Sequence, residues 1–106
     1  MDKVVSLAKK VLSDHKAEDI SVIDVREMTP FAEYYILATA MNNRQINALK
    51  DAIEEEFEKK KYKINHIEGT PESGWTLIDA YHVIINIFSK EERERISLDH
   101  HLSKKA

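Results

Sequence analysis

The stretch from Trp75 to Phe88 constrains the fold of this chain more than any other. Two short apolar runs flank a polar hinge that contains Asp79, Tyr81 and His82, and this pattern predicts two strands joined by a tight turn. Both glycines of the chain and one of its two prolines stand just before this stretch, at Gly69, Pro71 and Gly74. Because glycine and proline punctuate turns, the sequence predicts a β-hairpin that is entered through a turn.

Along the first strand of this hairpin, alternation divides the side chains between two faces. One face receives Trp75, Leu77 and Asp79, and the other receives Thr76 and Ile78. A tryptophan and a carboxylate on the same face indicate either a sheet that is half buried in the core or a surface that meets a partner. The alternation leaves both interpretations open.

Apolar residues at three- and four-residue spacing predict two longer helices, one over residues 3–13 and one that begins after Asn42 or Asn43. Either asparagine can cap its helix, because a short side-chain oxygen satisfies a free backbone N–H of the first turn. Ser89 followed three residues later by Glu92 is a capping-box signature. A short final helix is therefore expected directly after the hairpin.

Three further strands are predicted at about residues 20–26, 34–39 and 64–68. A short link joins the first two, so we expect antiparallel neighbours, and the second is apolar enough to be buried on both faces. The long helix should carry the chain to the third strand by a right-handed crossover between parallel strands. This order predicts one α/β or α+β domain over residues 1–106, with a single mixed sheet of about five strands flanked by helices. The polar tail after about residue 98 is expected to fray.

The composition excludes several classes of protein. Without cysteine the chain has neither a disulfide nor a thiolate metal site, which fits a reducing cytoplasm. No apolar run approaches the roughly 20 residues that a membrane helix needs, so no membrane contact is expected. Sixteen basic and 19 acidic residues give a formal charge of −3. A mildly acidic domain is poorly suited to wrapping a phosphate backbone and better suited to docking on a basic protein.

The sequence contains no pattern typical of an active site. Two glycines cannot form a glycine-rich phosphate loop, and no serine stands in a nucleophile elbow. Asp24 and Asp79 lie near the ends of predicted strands, where they could hold a divalent metal in a nucleotide-transferring enzyme. Because no second acid lies two residues from either, the simpler interpretation is that each caps a turn or faces water. We therefore predict no enzyme, no cofactor and no metal site.

Aromatic residues raise the alternative of nucleic-acid binding. Tyr34, Tyr35 and Trp75 could stack bases beside Arg44 or Lys63. The basic residues are spread among acids, however, and the two tyrosines lie in a run apolar enough to be core. Direct recognition of nucleic acid is therefore not expected.

Several segments are found together and in order along nearly the whole chain. They are K-A-E-D-I-S-V-I-D-V from Lys16, E-Y-Y-I-L-A-T from Glu33 and G-W-T-L-I-D from Gly74. Shorter matches add Arg44 with Gln45, Glu68 with Gly69, and Glu91, Glu92 and Arg93 after the hairpin. In this joint register the chain resembles the ribosomal silencing factor family, also called the Iojap-related family.

The resemblance implies a mixed sheet between helices, similar to nucleotidyltransferases but without their catalytic acids. It also implies a cytoplasmic factor that docks on protein fourteen of the large ribosomal subunit. Bound there, it would block joining of the small subunit and repress translation when nutrients are short. An acidic domain would suit a basic ribosomal protein.

The docking surface that the resemblance implies consists of Trp75, Leu77 and Asp79, with Glu68 and Gly69 at its entrance and Tyr34 alongside. Trp75 and Leu77 could instead be ordinary core residues. Members of the family often form homodimers, and an apolar sheet face would suit that as well. A metal-dependent enzyme of nucleotidyltransferase type and a homodimeric scaffold without ribosome contact are the alternatives.

The chain departs from the pattern of the family at three places. Ala40 and Met41 stand where the family usually has glycine, and Asn86 stands where a histidine is common. The aromatic C-terminus of the family is replaced by the residues from Ile96 to Leu102.

Overall fold

The computed structural model describes residues 2–96, which form one mixed sheet with three helices and a short 3-10 turn at Pro71–Ser73. In chain order the elements are α1 (Lys3–Asp14), β1 (Glu18–Asp24), β2 (Tyr34–Ala40), α2 (Asn43–Lys59), β3 (His66–Thr70), β4 (Trp75–Ala80), β5 (Val83–Ser89) and α3 (Lys90–Ile96). The predicted α+β architecture and element order are confirmed. The tail after residue 98, predicted to fray, lies outside the described residues.

The strand β1 begins and ends two residues earlier than predicted. At its start the backbone N–H of Ala17 donates to the carbonyl of Leu12, which closes α1 so that extended backbone follows at once. At its end the N–H groups of Met28 and Thr29 both donate to the carbonyl of Val25 and form a turn. Turn hydrogen bonds on both sides therefore determine the position of this strand.

The strands lie side by side in the order β1-β2-β5-β4-β3. The central pair, β2 and β5, is parallel, and the other three pairs are antiparallel. The predicted antiparallel pairing of β1 with β2 is confirmed. The crossover through α2 brings β3 into the same direction as β2, as predicted, but the strand that pairs with β2 is β5. The β4–β5 hairpin thus lies between the two strands that the crossover connects.

The core lies between the sheet and the helices α1 and α2. Buried helix residues meet alternate residues of the three central strands, among them Leu12, Leu49, Ile53, Phe57, Ile36, Ile78, Ile85 and Ile87. Complete burial of each large apolar side chain contributes about 1.5–3 kcal/mol. Of the two candidate caps of α2, the structure selects Asn42, whose Oδ1 accepts from the backbone N–H of Gln45 at 2.8 Å.

The other face of the sheet, called here the second face, carries four of the six predicted partner residues, namely Trp75, Leu77, Asp79 and Glu68. The helix α3 packs against β5 and β2, and Arg93 donates to the side chains of Thr39 and Ser21 at 2.9 and 3.2 Å. The prediction that β2 is buried on both faces holds for its second half, since Ile36, Leu37, Ala38, Thr39 and Ala40 are all buried.

Candidate partner-binding surface

The second face is assembled from alternate residues of neighbouring strands. The register brings three rows together: Thr39, Phe88 and Trp75; Leu37, Asn86 and Leu77; and Tyr35, Ile84 and Asp79. The predicted division of β4 is confirmed, because Trp75, Leu77 and Asp79 are half-buried whereas Thr76 and Ile78 are buried. The strand β4 therefore presents one row to the core and one row to the second face.

Trp75 is held against the protein on two sides. Its ring centroid lies 5.1 Å from that of Phe88 with the planes tilted by 31°. Its indole Nε1 donates to Oδ1 of Asn86 at 3.1 Å. The side chain is neither enclosed like a core residue nor free like a surface residue, and this geometry is typical of an aromatic side chain that anchors an interface.

A shallow groove of about 290 Å³ runs beside Trp75. Four of the predicted partner residues line it, namely Trp75, Leu77, Glu68 and Gly69, and Ser73, Glu92 and Arg95 complete the lining. Hydrogen bonds from Arg95 hold the pKa of Glu92 below its usual range. The groove therefore combines an apolar wall with paired charges at its rim.

Gly69 is required by the sheet itself. Its φ is +83°, and an added Cβ would lie 2.2 Å from the carbonyl oxygen of Trp75. No other residue type fits without moving β3 away from β4, since that contact is with backbone. The identity of residue 69 thus follows from strand pairing at the groove.

Asp79 caps the turn of the hairpin. Its Oδ1 accepts from the backbone N–H of Tyr81 at 2.9 Å, and Tyr81 has a φ of +70°. Its Oδ2 accepts from Nδ2 of Asn65 at 3.3 Å and lies 3.4 Å from Nδ1 of His66. The turn-capping interpretation of Asp79 is therefore confirmed, and its contact with a partner stays a prediction.

Glu68 extends the negative charge of the second face to the edge strand. It lies opposite Leu77 in the register, and its Oε2 is 2.6 Å from Nε2 of His66. His66 thus lies between Glu68 and Asp79. Two of the predicted partner residues are connected through this one imidazole.

Tyr34 does not lie alongside Trp75, contrary to expectation. It pairs with Val83 and packs against the helix-covered core, while the guanidinium of Arg26 lies 5.6 Å from its ring centroid. Tyr35 is the tyrosine that shares the second face. In a run that is apolar on both faces, hydrophobicity does not reveal which of two successive tyrosines points to which side.

Asp24, the other candidate metal ligand, is engaged in an exposed ion pair. Arg26 donates to it through its backbone N–H, Nε and Nη2. These side-chain and backbone hydrogen bonds hold the pKa of Asp24 below its usual range. Among residues 2–96, no group of three or more His, Cys, Asp or Glu side chains is arranged to hold a metal ion.

Sequence reasoning did not identify Asn86 and Phe88 as members of the second face. Alternation carried on from Ile84 would have placed both there, but β5 is so uniformly apolar that it offers little contrast between its faces. Arg93, which ties α3 to β1 and β2, also received no structural role from the sequence.

The fold and this surface define the class of protein. It is a small α+β domain with a mixed sheet, whose second face presents a half-buried tryptophan beside a groove. A family model described as ribosomal silencing factor during starvation matches residues 1–104. The chain therefore belongs to the ribosomal silencing factor family, as the sequence resemblance predicted.

Individual relatives agree with this assignment. Ribosomal silencing factor RsfS of Bacillus subtilis (strain 168) is 25% identical over 96 residues, which cover 91% of this chain and 81% of that protein. The chloroplastic protein Iojap of Zea mays is 36% identical over 95 residues, which cover 90% of this chain and 41% of that protein.

Solved structures support the fold. A crystal structure of a protein from Chromobacterium violaceum matches with a TM-score of 0.92 and 26% identity, covering 97% of this chain and 88% of that one.

No helix within residues 2–96 is long and apolar enough to cross a membrane. The likeness to nucleotidyltransferases stays a prediction.

Proposed function

We propose that this chain docks on protein fourteen of the large ribosomal subunit and silences translation by keeping the small subunit from joining. The proposal rests on membership of the ribosomal silencing factor family. The observation that carries the choice of surface is the second face, where Trp75 and Leu77 line a groove together with Glu68. Asp79 lies on the same face of β4, next after Leu77.

The proposed mechanism is steric and needs no turnover. A stable protein interface buries about 800 Å² per partner, and the sheet of a domain that measures 34 by 31 by 22 Å can supply such a footprint. Neither catalysis nor a cofactor is part of the proposal. The compartment we propose is the cytoplasm, where a bacterial-type factor meets its ribosomes.

Within this surface the predicted residues take different parts. Trp75 serves as the aromatic anchor, because a large amphipathic ring contributes much contact at little entropic cost. Leu77 extends the apolar contact, while Glu68 and Asp79 supply negative charge toward a basic partner. Gly69 acts indirectly, since it allows β3 to approach Trp75. Because Tyr34 lies on the helix-covered face, it contributes to docking at most from the margin of the second face.

Sedimentation with isolated large subunits tests the proposal. The wild-type chain should travel with large subunits and reduce their reassociation with small subunits. The double variant Trp75→Ala with Asp79→Asn should bind at least about tenfold more weakly, since an interface anchor contributes 2 kcal/mol or more. Asparagine keeps the Oδ1 that accepts from Tyr81, so the turn survives while the charge is lost.

The matched control for charge is Asp51→Asn, which removes one negative charge from the exposed side of α2. Its binding should equal that of wild type, and far-ultraviolet circular dichroism should show that both variants are folded. A wild-type chain that fails to travel with large subunits would contradict the proposal.

A further inference from the structure

Asn86 is an unusual residue for its position. It lies in β5 between Leu37 of β2 and Leu77 of β4, and it is only 1% exposed. Burying an amide among apolar side chains costs free energy unless its polar atoms are hydrogen-bonded. Either the polar atoms of Asn86 are hydrogen-bonded by neighbouring residues, or the residue has a role other than stabilising the fold.

Only half of the Asn86 amide is satisfied. An indole N–H can donate but not accept, so the atom of Asn86 that faces Nε1 of Trp75 at 3.1 Å must be the oxygen. The amide nitrogen, Nδ2, then has no hydrogen-bond partner among the described residues. An unpaired buried donor is destabilising, and an apolar side chain of the same size would avoid that cost. Stability alone does not account for an asparagine here.

The hydrogen bond does have a consequence for Trp75. Contact with Phe88 restrains the plane of the indole, but a half-turn about χ2 would keep that plane and exchange the two edges of the ring. The acceptor at Asn86 removes this freedom, because it fixes where the Nε1 edge points. Held in this orientation, Trp75 lines the groove together with Glu68 and Leu77.

We propose that Asn86 is a positioning residue, whose Oδ1 fixes the orientation in which the Trp75 indole is presented to a docked protein. This inference rests on the proposed function, in which Trp75 is the anchor. Asn86 acts through Trp75 and need not touch the partner. Because the Trp75 ring is already fixed before docking, less side-chain conformational entropy is lost on binding.

The orientation can be measured without any partner, because Trp75 is the single tryptophan of the chain. In Asn86→Leu the near-ultraviolet circular dichroism of the indole should weaken and acrylamide should quench its fluorescence more strongly. The control is Thr76→Val, which removes another buried and unpaired polar atom, Thr76 Oγ1, from the opposite face of β4. That variant should keep the wild-type spectrum. Identical near-ultraviolet spectra for Asn86→Leu and wild type would overturn the inference.

Docking on isolated large subunits gives the second readout. Loss of one hydrogen bond should weaken binding of Asn86→Leu about threefold to tenfold, and Thr76→Val should bind like wild type. In a Trp75→Phe background, which lacks the indole donor, Asn86→Leu should have no further effect. Independent, multiplicative losses in the double variant would show that Asn86 does not act through Trp75.

The two proposals fail in different ways. If wild type does not travel with large subunits, the proposed function falls, and the spectra still decide whether Asn86 orients the ring. If Asn86→Leu does not fold, the wild-type indole N–H provides the test by nuclear magnetic resonance. Its exchange with solvent should be slowed by the bond to Oδ1, and exchange as fast as that of a free indole would overturn the inference.

Discussion

Nε2 of His82 lies 2.9 Å from Oδ2 of Asp2, so the turn of the β4–β5 hairpin is tied to the residue that caps α1. The other carboxylate oxygen of Asp2 accepts from the backbone N–H groups of Val4 and Val5 at 2.8 and 3.1 Å. One carboxylate therefore joins the first helix to a hairpin 80 residues later. The backbone of His82 completes the junction, because its carbonyl accepts from the N–H groups of Glu33 and Tyr34.

This junction should make stability depend on pH in the acid range. Burial disfavours the charged form of Asp2, but hydrogen bonds from Val5 and His82 outweigh it, so the pKa of Asp2 lies below its ordinary value. A depressed carboxyl pKa contributes stability that is present above the ordinary value, about 3.9, and is lost as the pH falls through the folded value. We expect Asp2→Ala to lower the free energy of unfolding by about 1–2 kcal/mol at pH 7.

Urea unfolding at pH 7, 5 and 3 checks the prediction. The gap between wild type and Asp2→Ala should narrow at pH 3, while Asp51→Ala should stay within about 0.5 kcal/mol of wild type throughout. A gap that does not change with pH would mean that the charge of Asp2 contributes nothing to stability.

The two glycines should differ in their tolerance of a side chain. Gly69 and Gly74 both have positive φ, +83° and +80°, so alanine is strained at either position. At Gly69 the new Cβ would meet the backbone carbonyl of Trp75, whereas at Gly74 the nearest atom, at 2.8 Å, belongs to the flexible side chain of Glu92. We expect Gly74→Ala to cost about 1–2 kcal/mol and Gly69→Ala clearly more. Denaturant unfolding of the two variants measures the difference, and equal losses would contradict the steric argument.

Arg93 should matter more than its neighbour Arg95, although both lie on α3. Nη1 and Nη2 of Arg93 donate to Thr39 and Ser21, whereas Arg95 forms an exposed ion pair with Glu92. Because lysine cannot reproduce a guanidinium fork, Arg93→Lys should cost about 1–2 kcal/mol, and Arg95→Lys at most about 0.5 kcal/mol. Amide hydrogen exchange should also accelerate along α3 in Arg93→Lys alone. Unchanged exchange would show that α3 is held by other contacts.

Trp75 and Phe88 touch each other but should contribute differently to stability. Phe88 is fully buried, so Phe88→Ala should cost about 3–5 kcal/mol. Trp75 is only half-buried, and we expect Trp75→Ala to cost about 2 kcal/mol and to leave a folded domain. Thermal unfolding followed by circular dichroism measures both. A Trp75→Ala variant that unfolds at room temperature would indicate that Trp75 is a core residue, and its part in docking would then need revision.

The sequence alone was enough to predict the elements and the two faces of β4, since both depend on local features. Helical spacing, the cap at Asn42 and the turn residues around Gly74 act within a few positions of one another. Strand alternation likewise assigned Trp75, Leu77 and Asp79 to one face.

Local connections predicted the pairing of β1 with β2 and of β4 with β5. Only the tertiary structure decided that β5 lies beside β2, and therefore which side chains met across the centre of the sheet. The choice of β5 rather than β3 as the partner of β2 depends on pairing between segments far apart in the chain, which no local pattern encodes. That pairing put Tyr34 on the helix-covered face, and the antiparallel register of the hairpin brought Asn86 and Phe88 against Trp75. Periodicity thus assigned Trp75 to a face, and long-range packing determined how its ring is held there.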